Sequence, residues 1–450
     1  MSDASPSGRP VTNWASSDPT RRQGADGSTA NGATVSGPAT GGPATNGSTA
    51  TNATNGEHGT KGVVSAASAT MRATPRLAFF IPTMNLGGAQ QVTVTIANGL
   101  AARGYSVDLV LARGTGPLLA RVDSAVSVVD LETPVVPGVG VLAAIPALRA
   151  YLRRERPDVL FAAMMNANVV GVLADAVAGV GTRLVLTEHN TFGVRPGLRD
   201  RVTARLASVL YPQADHVVGV SRGVVDSVVD GTGVADDQVS VLYNPIDVEA
   251  IRAAAGEGLD DEARELMEGD VIFTVGRLED AKDHAMLLRA FRRVREERPW
   301  VKLVVGGSGS NREELESLAT EFGLDDAVTF VGYVDNAYAY MAAASVFALS
   351  SKHEGLPTVL LEALACETPI VSTDCPSGPR EILADGRYGR LTPVGDDAAF
   401  AEAILGTLDA PVPAAALGTR AEDFSLDAVL SEYEAFIERV SRSELGTTNR

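Results

Sequence analysis

Two carboxylates eight residues apart give this chain its first chemical signal. Glu354 and Glu362 bracket the run Glu354-Gly355-Leu356-Pro357-Thr358-Val359-Leu360-Leu361-Glu362. An apolar strand pattern at 345–349 precedes it and a helical pattern at 359–366 follows. The spacing predicts strand, tight turn and helix, with Pro357 and Thr358 at the helix start. Backbone N–H groups at a helix start lack intrahelical acceptors and bind anions. A carboxylate beside such an anion site is repelled unless it contacts something else, and sugar hydroxyls are the natural partner. On this reading Glu354 accepts from a sugar while Glu362, two turns deeper, holds a ribose, an arrangement that suits a nucleotide-sugar. The plain alternative makes Glu354 a solvated loop charge and Glu362 a helix-surface charge.

These residues need elements to position them, and the chain of 450 residues has room for two or three domains with real cores. From residue 76 apolar runs alternate with helical patterns. The strand runs are 77–81, 107–111, 126–131, 159–163, 184–187 and 216–220, with helices at 141–154 and 198–210 among those between them. A second series has strand runs at 271–275, 303–306, 328–331, 346–349 and 370–372, and helices at 285–295 and 313–322. Such alternation predicts parallel sheets covered by helices on both faces. The break falls near Tyr243-Asn244-Pro245-Ile246-Asp247, where Asn-Pro stops the chain. The expected division is a tail at 1–74, a first domain at 75–245, a second at 246–424, and a last helix at 425–441 packing back on the first. Two doubly wound domains place a cleft between them, and ligands bind beyond the carboxyl ends of parallel strands.

The tail is built from Ser, Thr, Asn, Ala and Gly. It is expected to be disordered, because it has too little apolar area to offset ordering entropy, and it lacks the apolar h-region of a secretory signal. The formal charge is −18, and of 38 basic residues only Lys61, Lys282, Lys302 and Lys352 are lysines. Acidic, lysine-poor surfaces resemble those of salt-accumulating microbes, where salt screens self-repulsion; a GC-rich genome would lower the lysine count equally well. Net negative charge argues against general nucleic-acid binding. Cys366 and Cys375 have no metal-ligand spacing and read as small buried residues of a reducing cytoplasm. No apolar run reaches the roughly 18–20 residues of a bilayer span, so membrane contact is expected to be peripheral.

Several loops at strand ends carry polar residues. Asn85-Leu86-Gly87-Gly88 opens the first helix, and its glycines let backbone approach a diphosphate, or make a simple turn. Gly276-Arg277 ends the first strand of the second domain and Lys282 follows. Arg277 and Lys282 either clamp phosphate or form surface ion pairs with Glu279, Asp280 or Asp283. Glu188-His189-Asn190 ends another strand, and His189 either meets the reacting sugar or packs. Gly306-Gly307-Ser308-Gly309 lacks a following Lys-Ser/Thr and is not a P-loop. Gly332-Tyr333-Val334 offers backbone to a flat base. The prolines of Cys375-Pro376-Ser377-Gly378-Pro379-Arg380-Glu381 shape a rigid turn.

In this order the Gly-Gly pair, Val275-Gly276-Arg277-Leu278 with Lys282, Gly332-Tyr333-Val334 and Glu354-x7-Glu362 resemble the family 4 glycosyltransferases of GT-B fold, over about residues 76–440. The turn at 377–381 resembles that of members passing a hexose or N-acetylhexosamine to a lipid-linked acceptor. The resemblance implies a fold of two Rossmann-like domains facing across a cleft. It implies that Arg277 and Lys282 neutralise the leaving diphosphate, that N–H groups near Thr358 and Val359 cap it, and that Gly87 and Gly88 face it from the first domain. Glu362 would hold ribose, Glu354 the donor sugar, backbone near Val334 the base, and His189 would lie by the reacting centre. It further implies retention of anomeric configuration, no metal or other cofactor, a UDP-linked donor, and a glycan or polyprenyl-phosphate-linked acceptor in surface polysaccharide or protein glycosylation. The expected location is cytoplasmic, peripheral on the inner face of the plasma membrane. Arginine clusters (Arg195, Arg199, Arg201, Arg205; Arg149, Arg153, Arg154, Arg156) either meet anionic lipid or solvate helix ends. The alternatives are a GT-B nucleotide-sugar epimerase or phosphorylase, and a non-catalytic nucleotide-sugar-binding subunit.

Overall fold

A computed structural model describes residues 74–135, 140–193 and 198–442, with the side chains of 198–200 excepted. The tail expected at 1–74 therefore lies outside the described residues except at Thr74, as do Arg195 and the side chain of Arg199. Among the described residues the first sheet has strands β1 (Arg76–Ile81), β2 (Ser106–Leu111), β3 (Ser127–Asp130), β4 (Val159–Ala163), β5 (Arg183–Glu188), β6 (His216–Gly219) and β7 (Val239–Val241). The second has β8 (Val271–Val275), β9 (Lys302–Gly306), β10 (Val328–Gly332), β11 (Val346–Leu349), β12 (Ile370–Thr373) and β13 (Arg390–Thr392). The strand orders are β3-β2-β1-β4-β5-β6-β7 and β10-β9-β8-β11-β12-β13, with parallel pairing throughout.

The central strands are continuous apolar runs because helices cover both faces. Every residue of β4, β11 and β12 is buried. Each sheet therefore has two cores, one per face. The strands β7 and β13, absent from the expectation, are three-residue edge strands whose residues are mostly half-buried or exposed. Their apolar signal is too short to stand out from loop sequence. The helical pattern at 141–154 resolves into a 3₁₀ turn at Gly140–Ala144 and a helix at Ile145–Glu155, with Pro146 tolerated at the helix start.

The Leu426–Arg442 helix follows the second lobe but packs into the first. Its buried Val429, Leu430, Tyr433, Phe436, Ile437 and Val440 recur at helical spacing, and they join the core that holds Leu77, Phe79 and Phe161. A Cβ on Gly99 would run into the Leu430 side chain, so glycine is what lets the two helices touch. Arg103 fixes the same contact through Asp427 and, at 2.6 Å, Glu434.

Candidate functional site

In a doubly wound sheet the strand order reverses at one point, and the loops leaving the strands on either side diverge to open a crevice. In the second sheet the reversal lies between β8 and β11. The loop after β8 carries Gly276, Arg277 and Lys282, and the loop after β11 carries Ser350, Ser351 and Glu354. Topology thus brings together residues 72 apart: Lys282 Nζ lies 2.5 Å from Glu354 Oε1. The side chains are only 20% and 13% exposed, which spares the pair most solvent screening. Ser351 Oγ donates to the same oxygen at 2.7 Å. The two loops are laced by backbone as well, through Lys352 N–H to Ala281 O (2.8 Å) and Ser350 Oγ to Lys282 O (2.7 Å).

Arg277 sits on the outer side of this cluster. Its guanidinium is 76% exposed and pairs with Glu279 at 2.9 Å, the surface pairing that the sequence left open. The Gly306–Gly309 loop has a structural role beneath it. A Cβ at Gly307 (φ +116) or Gly309 would collide with the backbone of Gly276 or Leu278. Gly276 N–H donates to Gly306 O (3.1 Å) and Leu278 N–H to Ser308 O (2.9 Å). Glycines here let one loop lie flat on another.

Pro357 caps the Thr358–Ala365 helix without a side-chain hydrogen bond, and its first turn has no acidic residue, so Thr358 and Val359 present an electropositive end. One turn in, Glu362 is 8% exposed, which rules out the helix-surface reading. Its Oε2 is buried with no partner among the described residues. Burial pushes this carboxyl up to about 7 against the opposing pull of Lys282. Val334 is buried after β10 while its neighbour Tyr333 is exposed.

The first lobe brings glycines and a histidine to this edge. Gly87 caps the Gly88–Ala102 helix, again without a side-chain cap or an acidic first turn, and a Cβ at Gly88 would meet open space. His189 follows β5. Its Nδ1 is buried without a partner among the described residues, and burial lowers the imidazole to about 4, so the ring is neutral near pH 7. Beneath it a buried network holds the strand end: Glu188 accepts from Tyr211 OH and from Asn168 Nδ2 (2.8 Å). The lobes meet here. A Cβ on Gly355 would collide with the His189 carbonyl oxygen. Thr191 Oγ1 donates to Glu354 O at 3.2 Å, and Ser221 Oγ donates to Gly355 O at 2.8 Å. The structure therefore gathers Lys282, Glu354, Glu362 and the 358 helix start in one cluster, with His189 against it from the other lobe. Thr191, Ser221 and Ser351 were missed by sequence reasoning, since single hydroxyls in loops carry no pattern.

Of the second arginine cluster, Arg149 and Arg153 donate to the carbonyls of Val177 and Ala178 at 3.0 Å, closing the end of the Met165–Ala178 helix. Arg201 and Arg205 are exposed on the Leu198–Leu210 helix.

Two facing doubly wound lobes define the GT-B architecture. Comparison with known proteins agrees. The model described as "Glycosyltransferase Family 4" matches residues 86–250 and that described as "Glycosyl transferases group 1" matches 259–424. Together they span most of both lobes, and the chain belongs to the family 4 glycosyltransferases. Among relatives, an N-acetylgalactosamine-N,N'-diacetylbacillosaminyl-diphospho-undecaprenol 4-alpha-N-acetylgalactosaminyltransferase of Campylobacter jejuni is 35% identical, over 53% of this chain and 64% of its own length. The lipopolysaccharide core biosynthesis glycosyltransferase LpsE of Rhizobium meliloti is 29% identical, over 71% of this chain and 84% of its own. The chain spans just under two thirds (64%) of the first two curated relatives it matches. In fold it is similar to HepE of Anabaena, solved with UDP, with a TM-score of 0.68, 20% identity, and coverage of 81% of this chain and 100% of that one.

Proposed function

We propose that this protein is a retaining, metal-independent glycosyltransferase. It moves a hexose or N-acetylhexosamine from a UDP-linked donor to a glycan or polyprenyl-phosphate-linked acceptor. The observation that carries the reading is the Lys282–Glu354 pair, held at 2.5 Å beside an uncapped helix start at the switch point. Without donor, each ion satisfies the other. An arriving diphosphate draws Lys282 and the N–H groups of Thr358 and Val359, and Arg277 closes from the rim. Glu354 is then released to accept from sugar hydroxyls. Fixed cations and amides stabilise the charge that builds on the departing diphosphate, the role a metal fills in other transferases. The orphaned Glu362 Oε2 suits a ribose hydroxyl, which would supply the missing hydrogen bond. Neutral His189 lines the sugar side, and backbone near Val334 the base. Attack comes from the face the diphosphate leaves, with a diphosphate oxygen taking the acceptor's proton. Gly87 and Gly88 bring backbone N–H groups from the first lobe, and closure of the lobes excludes water that would hydrolyse the donor.

The acceptor side supports a reaction at the cytoplasmic face of a membrane. Val202, Leu206 and Val209 are exposed at 63%, 37% and 65% on the Leu198–Leu210 helix, at helical spacing, with exposed Arg201 and Arg205 beside them. Apolar groups rimmed by arginine on a protein of charge −18 fit an anionic lipid surface. The acidic remainder suits a salt-rich cytoplasm.

The test is a donor screen by thermal shift at high salt, followed by mass spectrometry of lipid-linked product and NMR of the new anomeric centre, with and without EDTA. Retained configuration and EDTA-resistant transfer are expected. Inverted product, or isomerised sugar formed without acceptor, overturns the reading. Flotation with anionic vesicles, lost in the Val202→Asp/Leu206→Asp variant, tests the membrane face; equal flotation of both proteins removes it.

A further inference from the structure

One acidic side chain crosses between the lobes without entering the cluster described above. Glu381 lies in the short Pro379–Ile382 helical turn that follows Gly378 (φ 93). Its carboxylate reaches the start of the Arg222–Thr232 helix in the first lobe. Oε2 accepts from Arg222 N–H at 2.8 Å, and Oε1 accepts from Gly223 N–H at 3.2 Å. Tyr243 OH, from the connection between the lobes, donates to Oε2 at 3.2 Å. Amides at a helix start are orphan donors at the positive end of the dipole, so an ionised carboxylate there satisfies charge and hydrogen bonds together.

The placement is aimed. Arg420 donates to Glu381 O at 2.6 Å and to Ile382 O at 2.9 Å, which pins the turn from behind. The adjacent Arg380 instead pairs within its own lobe, with Asp374 and Asp385. The surface around the carboxylate is close-fitting: a Cβ on Gly223 would meet the Pro376 carbonyl oxygen and Ser377. Ser221, the cap of the same helix, donates to Gly355 O at 2.8 Å, one residue from Glu354. Thr191 Oγ1 lies 3.1 Å from Ser377 Oγ and also bonds Glu354 O at 3.2 Å. The helix start that Glu381 grips is therefore the same piece of the first lobe that touches the Glu354 loop.

We infer that Glu381 is an interlobe latch, a positioning residue whose carboxylate fixes the Arg222–Thr232 helix start to the second lobe and so sets the spacing between His189 and the Glu354 loop. The inference rests on the proposed transfer only for its effect on rate; the latch itself is a statement about lobe geometry. The groups assigned to the diphosphate and ribose are mostly on the second lobe, so nucleotide affinity should barely feel the latch. Transfer, which needs groups from both lobes in register, should feel it strongly.

The experiment places spin labels at exposed Val177 in the first lobe and Trp300 in the second, in a protein with Cys366 and Cys375 replaced. Double electron–electron resonance then reads the interlobe distance of the full chain without substrate. A single narrow distribution is expected, broadened or lengthened in Glu381→Gln, which replaces one acceptor oxygen with an NH2 facing backbone N–H groups. Gly223→Ala wedges the same contact from the other side, leaves the helix intact, and should broaden the distribution likewise. Arg222→Ala keeps the donating N–H and should leave it narrow. UDP affinity by calorimetry is expected to stay within about 2-fold in Glu381→Gln, while kcat falls about 30- to 100-fold with little change in donor KM. An unchanged distribution in both Glu381→Gln and Gly223→Ala overturns the latch, whatever the activity. A broadened distribution with wild-type kcat overturns the positioning role. Absence of any transferase activity in the wild type would count against the proposed function and leave the distance measurement to judge the latch.

Discussion

The two lobes share the strand order 3-2-1-4-5-6, to which the first adds a seventh strand, and they differ in what their strand-end loops carry. Beyond β8 and β11 the second lobe gathers Lys282, Arg277, Glu354 and Glu362, with a bare helix start among them. At the matching edge the first lobe shows Gly87, Gly88, His189, Thr191 and Ser221, of which only the histidine titrates, and burial holds it neutral near pH 7. The contrast teaches a division of labour. On the proposed function, one lobe stores the charge that would hold a donor, and the other contributes backbone, hydroxyls and shape where it touches the first. If so, variants of the charged lobe should damage both binding and transfer, and variants of the neutral lobe or of the contact should damage transfer alone.

The largest effect is expected from the charged pair. Lys282→Ala should lower kcat/KM about 10³-fold and weaken UDP binding, and Glu354→Ala should cut transfer comparably. Each leaves a mostly buried partner ion unpaired and should lower Tm, whereas Lys282→Met/Glu354→Gln should recover the melting temperature without recovering turnover. Wild-type rates in both single variants would dissolve the division at once.

Next comes the contact. Gly355→Ala puts a methyl into the His189 carbonyl and should reduce kcat about 30-fold with UDP affinity within about 2-fold. A parallel loss of UDP affinity would show that the neutral lobe helps to hold nucleotide.

Glu362 allows a sharper test through pH. Its carboxyl is raised from 4.5 to about 7 in the fold, so between those values the folded state keeps a proton that the unfolded chain releases. Stability on this account falls as pH rises through that window and is flat above it, by roughly 3 kcal/mol for the full shift. Glu362→Gln should melt higher than wild type at pH 8 and the same at pH 4, while binding UDP about 10-fold more weakly through loss of a charge-assisted hydrogen bond to ribose. Identical melting curves at both pH values would show that the carboxyl titrates normally.

The smallest effect is expected at Arg277. Its exposed pair with Glu279 contributes little to stability, so Arg277→Ala should leave Tm within a degree or so and lower kcat/KM by about 10-fold or less. A loss equal to that of Lys282→Ala would move Arg277 from the rim to the centre of the charged lobe.

Much of the fold was legible in the residues. The runs at 159–163, 271–275 and 346–349 coincide with β4, β8 and β11, because strands buried on both faces must be apolar without interruption. β7 and β13 were not legible, since an edge strand of three half-wet residues has no such constraint. In the site, Glu354, Glu362 and Lys282 were found because ionisable residues are conspicuous beside glycine and proline turns. Thr191 and Ser221 were not, and neither was the interlobe reach of Glu381. Each of them acts on a partner more than a hundred residues away, and no local spacing encodes that.

By itself the sequence determined the alternation of strands and helices in two series and the chemical types at the strand ends, because periodicity and turn chemistry are local. Only the tertiary structure decided that Lys282 meets Glu354, that Glu362 is buried with an orphaned oxygen, and that a carboxylate on one lobe seats on a helix start of the other. Those outcomes depend on strand order and on how closely two surfaces approach, and both are set by the packing of segments far apart in the chain.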